Sequence, residues 1–121
     1  GLLGHLNNMV VASNVQVEIA AGKVPLMSNI IQLANAGMVP SGTYHNLEYV
    51  GQSVSWGDNV DEIIKLVLCD PQTSGGLLIS LPEEKSSTLL DKLLYYGIDN
   101  SAIIGKVHNQ GELGMSPIIV N

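Results

Sequence analysis

Residues 70–81 read Asp70-Pro71-Gln72-Thr73-Ser74-Gly75-Gly76-Leu77-Leu78-Ile79-Ser80-Leu81, a polar glycine-bearing turn that runs directly into a mostly aliphatic stretch. Leu77 to Leu81 is too apolar for a strand with one wet face, so it predicts a central strand covered on both sides. The turn before it suits an anion. Two glycines let the backbone approach a ligand, consecutive amides can form a concave nest, and Thr73 and Ser74 add hydroxyl donors. Asp70 could take a cation or orient a hydroxyl. The same residue types also make ordinary tight turns, with Asp70 and Ser74 bonding locally, and composition alone favours that reading. No Lys follows the glycines, which argues against a P-loop; Gly37 to Thr43 has P-loop glycine spacing and lacks the Lys as well.

Working outward, Leu89, Leu90, Leu93 and Leu94 mark the buried face of a helix after Pro82, with Glu83 and Glu84 suiting its N-terminus and Gly97 its end. Ala102 to Val107 predicts a strand, Asn109-Gln110-Gly111 a turn, and Ile118 to Val120 a short closing strand. Before residue 70, Val60, Ile63, Ile64 and Val67 form the apolar face of a helix that Pro71 stops. Asp58 or Asn59 is its predicted cap, with Asp61 or Glu62 in the reciprocal position. Residues 38–57 show no clean period and predict a long, partly ordered connection. Leu26, Ile30, Leu33 and Ala34 mark a helix that ends at Gly37. At the start, helical spacing over residues 2–12 gives way at Ser13-Asn14 to the alternation Val15, Val17, Ile19, with Gln16 and Glu18 on the wet face of a half-buried strand. Helices and strands in this order predict an α/β (α+β) layered sandwich, with helices packed on a mixed sheet, in a single domain spanning 1–121.

The 121 residues carry 13% charged and 45% hydrophobic side chains, with no Phe, four Tyr and one Trp, so the apolar content is almost entirely aliphatic. Such a chain buries a core and is not disordered. A formal net charge of −6 repels phosphate backbones, and no Lys cluster interleaves with aromatics, which disfavours nucleic acid as a partner. No apolar run reaches the roughly 18 residues of a membrane span, and a lone cysteine makes no intrachain disulfide, so the cytoplasm is the expected compartment. Cys69 ends an apolar helix and reads as an inert buried thiol. His5, His45 and His108 lack paired ligand spacing and read as surface or cap residues, so no metal site is expected. Trp56 and the Tyr95-Tyr96 pair read as packing residues. The chain opens Gly1-Leu2-Leu3-Gly4-His5 without an initiator Met and with helical spacing almost at once, as a piece of a longer protein would.

The string Asp70-Pro71-Gln72-Thr73-Ser74-Gly75-Gly76-Leu77-Leu78 resembles the hallmark of the selenophosphate synthetase (selenide, water dikinase) family, in its C-terminal domain. Three weaker likenesses follow the family's order. Gly1 to His5 resembles the stretch after its Asp-containing metal-binding segment, Pro40 to Asn46 its Pro-Gly-Gly-Thr-x-x-Asn turn, and Ile104-Gly105-Lys106-Val107 its closing strand. Ser41 stands where the family usually has Gly. The resemblance implies the fold of the C-terminal domain of aminoimidazole ribonucleotide synthetase, partly ferredoxin-like. It implies an enzyme that converts ATP, selenide and water to selenophosphate, AMP and phosphate with Mg2+, and a full-length homodimer. It places the catalytic Cys or selenocysteine, the essential Lys and the metal-binding Asp residues N-terminal to this chain, and it gives Cys69 no catalytic role. The expected substrate- or phosphate-binding loop is Asp70, Gln72, Thr73, Ser74, Gly75 and Gly76, with Thr43 and Asn46 as secondary candidates. This chain is then expected to bind no ATP or Mg2+ alone and to be inactive alone, with an apolar patch near residues 1–10 or the 70–76 loop where the other half would sit. The alternative is a stand-alone ligand-binding or regulatory module that keeps the same fold.

Overall fold

In the computed structural model, which describes residues 1–121, a four-stranded mixed sheet is built around the second element of the chain. The elements are α1 (Leu2–Ser13), β1 (Val15–Ile19), α2 (Ile30–Asn35), α3 (Ser41–Val50), β2 (Val54–Trp56), α4 (Glu62–Leu68), α5 (Ser86–Tyr95), β3 (Gly105–Asn109) and β4 (Ile118–Val120). The sheet order is β2-β4-β1-β3, with β4 parallel to both β1 and β2, and β3 antiparallel to β1. The fold is therefore α+β with a mixed sheet, as expected from the sequence.

Register explains the core. Val54, Ile118, Val17 and Val107 align in one row across the sheet, and Trp56, Val120, Ile19 and Gly105 in the next. Residues in register share a face, and this face is the one the helices cover. From α1, Leu3, Leu6 and Val10 recur at helical spacing and join Val17, Ile19, Ile118 and Val120 in one buried cluster with Val50, Val54, Val60, Leu68 and Cys69. α1 packs on β1 and α3, α3 on α4, and α4 on α2. Asn14 closes α1 in the left-handed region at φ 51°, a position Asn tolerates.

The opposite face is polar, and Gln16 organises it. Instead of facing solvent, its side chain is fully buried. Its Nε2 donates to the carbonyls of Gly114 (2.9 Å) and Ser116 (3.0 Å), and its Oε1 accepts from the Leu113 N–H (2.9 Å). One amide thus folds the glycine-bearing 111–117 stretch over β1. Glu18 is half-buried beside it and accepts from Asn121 Nδ2 at 2.8 Å. His108 is likewise not a surface residue: only 18% of its side chain is exposed, between Glu18 (3.8 Å) and Glu112 (3.5 Å). Side-chain and backbone hydrogen bonds from Asn109 hold the Glu112 carboxyl below the usual carboxylate range.

The structure corrects several expectations. Leu77–Leu81 is not a central strand; β1 takes that place, and residues 73–81 make no backbone–backbone hydrogen bond at all. Residues 38–57 are not a loose connection but hold α3 and β2. Pro40 enters α3 in the extended conformation, and the helix was hidden because its inward residues, Thr43, Leu47 and Val50, alternate with Gly, Tyr, His and Glu. The cap of α4 is Asp61, whose carboxylate accepts from the Ile64 N–H at 2.9 Å, rather than Asp58 or Asn59. α2 starts at Ile30, so Leu26 lies before it and is exposed, and Leu33 within it is exposed as well. Its end is as expected: Gly37 sits at φ 78°, with Met38 N–H on Leu33 C=O and Gly37 N–H on Ala34 C=O. α5 ends in the same motif at Gly97 but buries none of its residues, and Tyr95 and Tyr96 are exposed and stack edge-on against each other. The predicted strand 102–107 is shifted to 105–109 because it pairs with β1 through Gly105, where a Cβ would collide with the Glu18 carbonyl.

Replacing Gln16 with Ala would orphan two carbonyls and one N–H under the 111–117 stretch. A loss of roughly 3 kcal/mol in unfolding free energy is expected from three lost bonds and the desolvated groups left behind. A urea titration of Gln16→Ala against the parent chain checks it, with an unchanged midpoint the contrary result.

Candidate functional site

Three separated segments meet at one corner of the domain. The first is the start of α1, the second the first half of α3, and the third the chain leaving α4 at Cys69 and Asp70. Gly1 lies so close to the third that a Cβ there would stand 2.6 Å from the Asp70 carbonyl oxygen. Asn46, from α3, donates its Nδ2 to the Cys69 carbonyl at 2.8 Å. Gly42 faces the Pro71 ring, where an added Cβ would be 3.1 Å from Pro71 Cγ. A helix C-terminus has carbonyls without intrahelical partners, and the Asn46 amide satisfies one of them while tying α3 to the start of the 70–76 loop.

Beyond Pro71 the loop is open. Gln72 N–H bonds back to the Asp70 carbonyl at 2.9 Å, and then Thr73, Ser74, Gly75 and Gly76 make no hydrogen bond through either backbone or side chain and are exposed. Four consecutive amides and two hydroxyls are thus free to donate. Segments 1–5, 40–46 and 70–76 carry no Lys or Arg, so the donors of the loop itself are neutral amides and hydroxyls. Asp70 is half-buried and lines a crevice of about 20 Å³ between α2 and α4, room for little more than a water. It is the only carboxylate of the loop, and no three His, Cys, Asp or Glu side chains gather anywhere in the domain in a way that could hold a metal. Mg2+ favours carboxylates together with phosphate oxygens, and these residues do not make a magnesium site of their own.

Of the residues singled out in the sequence, Asp70, Gln72, Thr73, Ser74, Gly75 and Gly76 lie together, and Asn46 joins them through Cys69. Thr43 does not. It is fully buried, and its Oγ1 has no partner, so it packs under the corner rather than lining it. Sequence reasoning missed a polar cleft of about 240 Å³ beside the corner, bounded by Gly1, Gly4, His5, Asn8, Asn46 and Tyr49. Asn8 accepts there from the Tyr49 hydroxyl at 3.4 Å. The signal was present as two i,i+3 pairs, His5 with Asn8 and Asn46 with Tyr49, but the second pair shares a face only once residues 41–50 are helical. Of the predicted apolar patches, Leu77 and Ile79 stand exposed just after the loop, and Met9 and Val11 on α1.

Residues 1–116 match the family described as AIR synthase related protein, C-terminal domain. The chain belongs to this family. Within the AIR synthase related group, its curated relatives include enzymes named selenide, water dikinase. The one from Clostridioides difficile is 41% identical over 112 residues, covering 93% of this chain and 32% of the relative. That from Campylobacter jejuni is 43% identical over 112 residues, covering 93% and 31%, and that from Clostridium botulinum 35% identical over 120 residues, covering 99% and 34%. The chain thus spans about a third of the length of the curated relatives it matches. The expected likeness to selenide, water dikinases holds over nearly the whole domain. No helix is long and apolar enough to cross a membrane.

Cys69, at the hinge between α4 and the loop, is buried, and burial pushes its thiol up to about 11 from an ordinary 9.0, with the nearby N-terminal ammonium opposing weakly. It is no nucleophile at neutral pH. Because the folded value is the raised one, its contribution to stability is complete below pH 9 and is lost as the pH rises toward 11. Urea titrations between pH 8.5 and 11 should show the parent chain losing roughly 2–3 kcal/mol more than Cys69→Ala, at about 1.4 kcal/mol per pKa unit. Parallel losses in the two proteins would contradict the buried-thiol account.

Proposed function

We propose that this chain acts as the C-terminal domain of a selenide, water dikinase, and that its Asp70–Gly76 loop closes over the phosphates of ATP held by the rest of the enzyme. The observation that carries the reading is the convergence of the three family-like segments at one corner, with four unbonded backbone amides at its rim. Phosphoryl transfer asks a protein mainly for positioning and for donors aimed at developing negative charge. The free N–H groups of Thr73, Ser74, Gly75 and Gly76 and the two hydroxyls meet the second need. The tie from Asn46 to the Cys69 carbonyl, with Gly1 and Gly42 packed on either side, meets the first by fixing where the loop begins.

The domain supplies donors and shape, and the remainder of the reaction lies outside it. Its three segments carry no Lys or Arg and a single carboxylate, so the triphosphate, selenide and any Mg2+ are held chiefly by the segment that the longer relatives have in addition. Taken alone, the chain is inactive and binds no ATP. In the complete enzyme the products are selenophosphate, AMP and phosphate, and the protein works in the cytoplasm as a homodimer.

A chimaera tests this. The matching third of the Clostridioides difficile enzyme is replaced by residues 1–121, and AMP and selenophosphate are followed by 31P NMR. The chimaera should turn over within about tenfold of the parent, and its Ser74→Ala/Gly75→Pro variant, folded by circular dichroism, should fall by a further hundredfold or more. A folded chimaera without selenophosphate formation would overturn the reading. So would turnover by the 121-residue chain alone, and sub-millimolar ATP binding by that chain in calorimetry would favour an independent ligand-binding module instead.

A further inference from the structure

The polar cleft between α1 and α3 has its own chemistry, different from that of the loop. His5 and Asn8 reach it from α1, Asn46 and Tyr49 from α3, around a space of about 240 Å³. None of the four is a carboxylate, an ammonium or a guanidinium, and all of them combine donors with acceptors. The Tyr49 hydroxyl donates to Asn8 Oδ1 at 3.4 Å, which leaves Tyr49 Oη free to accept and Asn8 Nδ2 free to donate. Asn46 spends one Nδ2 hydrogen on the Cys69 carbonyl and keeps its Oδ1 as an acceptor. A neutral imidazole at His5 adds one donor and one acceptor. Such a mixture suits hydroxyl groups, which give and take hydrogen bonds at once, better than it suits a phosphate or a cation.

Gly4 is the second sign that the space is used. It lies in α1, where glycine is less favourable than alanine, and its φ is not in the left-handed region. An added Cβ would meet no atom within 4 Å. Neither the backbone nor the packing of this domain therefore asks for glycine at position 4. What a side chain there would take up is room in the cleft, since Gly4 is part of its wall. The cleft also adjoins the root of the loop. Gly1 and Asn46 line it, and the same two residues touch Cys69 and Asp70, where the 70–76 loop begins.

We propose that the cleft is a subsite for a sugar with a vicinal diol, hydrogen-bonded by His5, Asn8, Asn46 and Tyr49. Its attached phosphate is met by the Thr73–Gly76 amides, a clause that rests on the reading of the loop given above. The sugar belongs to the nucleotide or to a separate sugar phosphate, and both present the same diol to the same groups.

Backbone amide NMR on the 121-residue chain tests the subsite apart from turnover. The probe is D-ribose 5-phosphate at tens of millimolar, because a fragment held by half a site binds weakly. Amides of Gly4 to Asn8, Asn46 and Tyr49 should shift with it. With 2-deoxy-D-ribose 5-phosphate they should need at least fivefold more probe, and inorganic phosphate should move only Thr73 to Gly76. Gly4→Leu should abolish the cleft response and leave the loop's response to phosphate; should that variant unfold, Asn8→Ala reads the same amides. Gly4→Ala should weaken the cleft response without lowering the melting temperature, whereas a glycine kept for structure would lower it. Cleft amides that ignore ribose 5-phosphate, or follow it and its deoxy form equally, would overturn the proposal. A shifting cleft beside a loop silent to both phosphates would instead overturn the reading of the loop and leave the sugar subsite standing. In the chimaera, inhibition by ribose 5-phosphate that is competitive with ATP assigns the sugar to the nucleotide, and an unchanged KM for ATP assigns it to a separate ligand.

Discussion

A buried primary amide has to find partners for both its donors and its acceptor, and the Gln16 side chain finds all of them in the 113–116 stretch. This constraint decides the sheet. With that stretch folded back over β1, the chain that follows emerges alongside β1 and runs parallel to it as β4, and β2 adds to the far side of β4. β1 becomes an interior strand, held between β4 and β3. Its other face, through Val17 and Ile19, then becomes the floor on which α1 lies.

The candidate site follows from that floor. α1 packs on β1, α3 packs on α1, and α3 presents Asn46 to the C-terminal carbonyl of α4. Each contact is ordinary, but their sum brings residues 1, 46 and 70 to one corner from three distant parts of the chain. The corner is tied down up to Gln72 and unbonded from Thr73 to Gly76. A loop with a fixed root and free amides is suited to closing on an anionic ligand, since the root sets its position and the ligand supplies the missing hydrogen-bond partners. Thr43, fully buried beneath the corner, contributes shape rather than a contact to ligand.

Periodicity was informative where burial is one-sided. α1, β1, β4 and the glycine ends at Gly37 and Gly97 were legible because their patterns arise from local geometry and a single apolar face. Two kinds of element were not. α3 has its inward positions filled by Thr43, Leu47 and Val50 amid Gly, Tyr and His, so its period is carried by packing that exists only in the folded chain. Leu77–Leu81 shows the reverse error: its composition suits a buried strand, but it makes no backbone–backbone hydrogen bond, and Leu77 and Ile79 stand exposed. Gln16 was misread because an alternating polar residue is assigned to water by default, whereas here a distant stretch of backbone replaces the water. For the candidate site, the loop Asp70–Gly76 and Asn46 were readable as residue types, and their meeting through Cys69 was not, since it depends on α3 being a helix.

The central claim is that residues 1–5, 40–46 and 70–76 form one unit joined through the Asn46 amide. Backbone amide NMR spectra of the chain and of Asn46→Ala measure this directly. Loss of the bond to the Cys69 carbonyl should shift the amides of Asp70 to Gly76 and of Leu2 to His5 along with those of α3, while β4 amides stay in place. Shifts confined to α3 would mean that the three segments are merely adjacent, and would contradict the account.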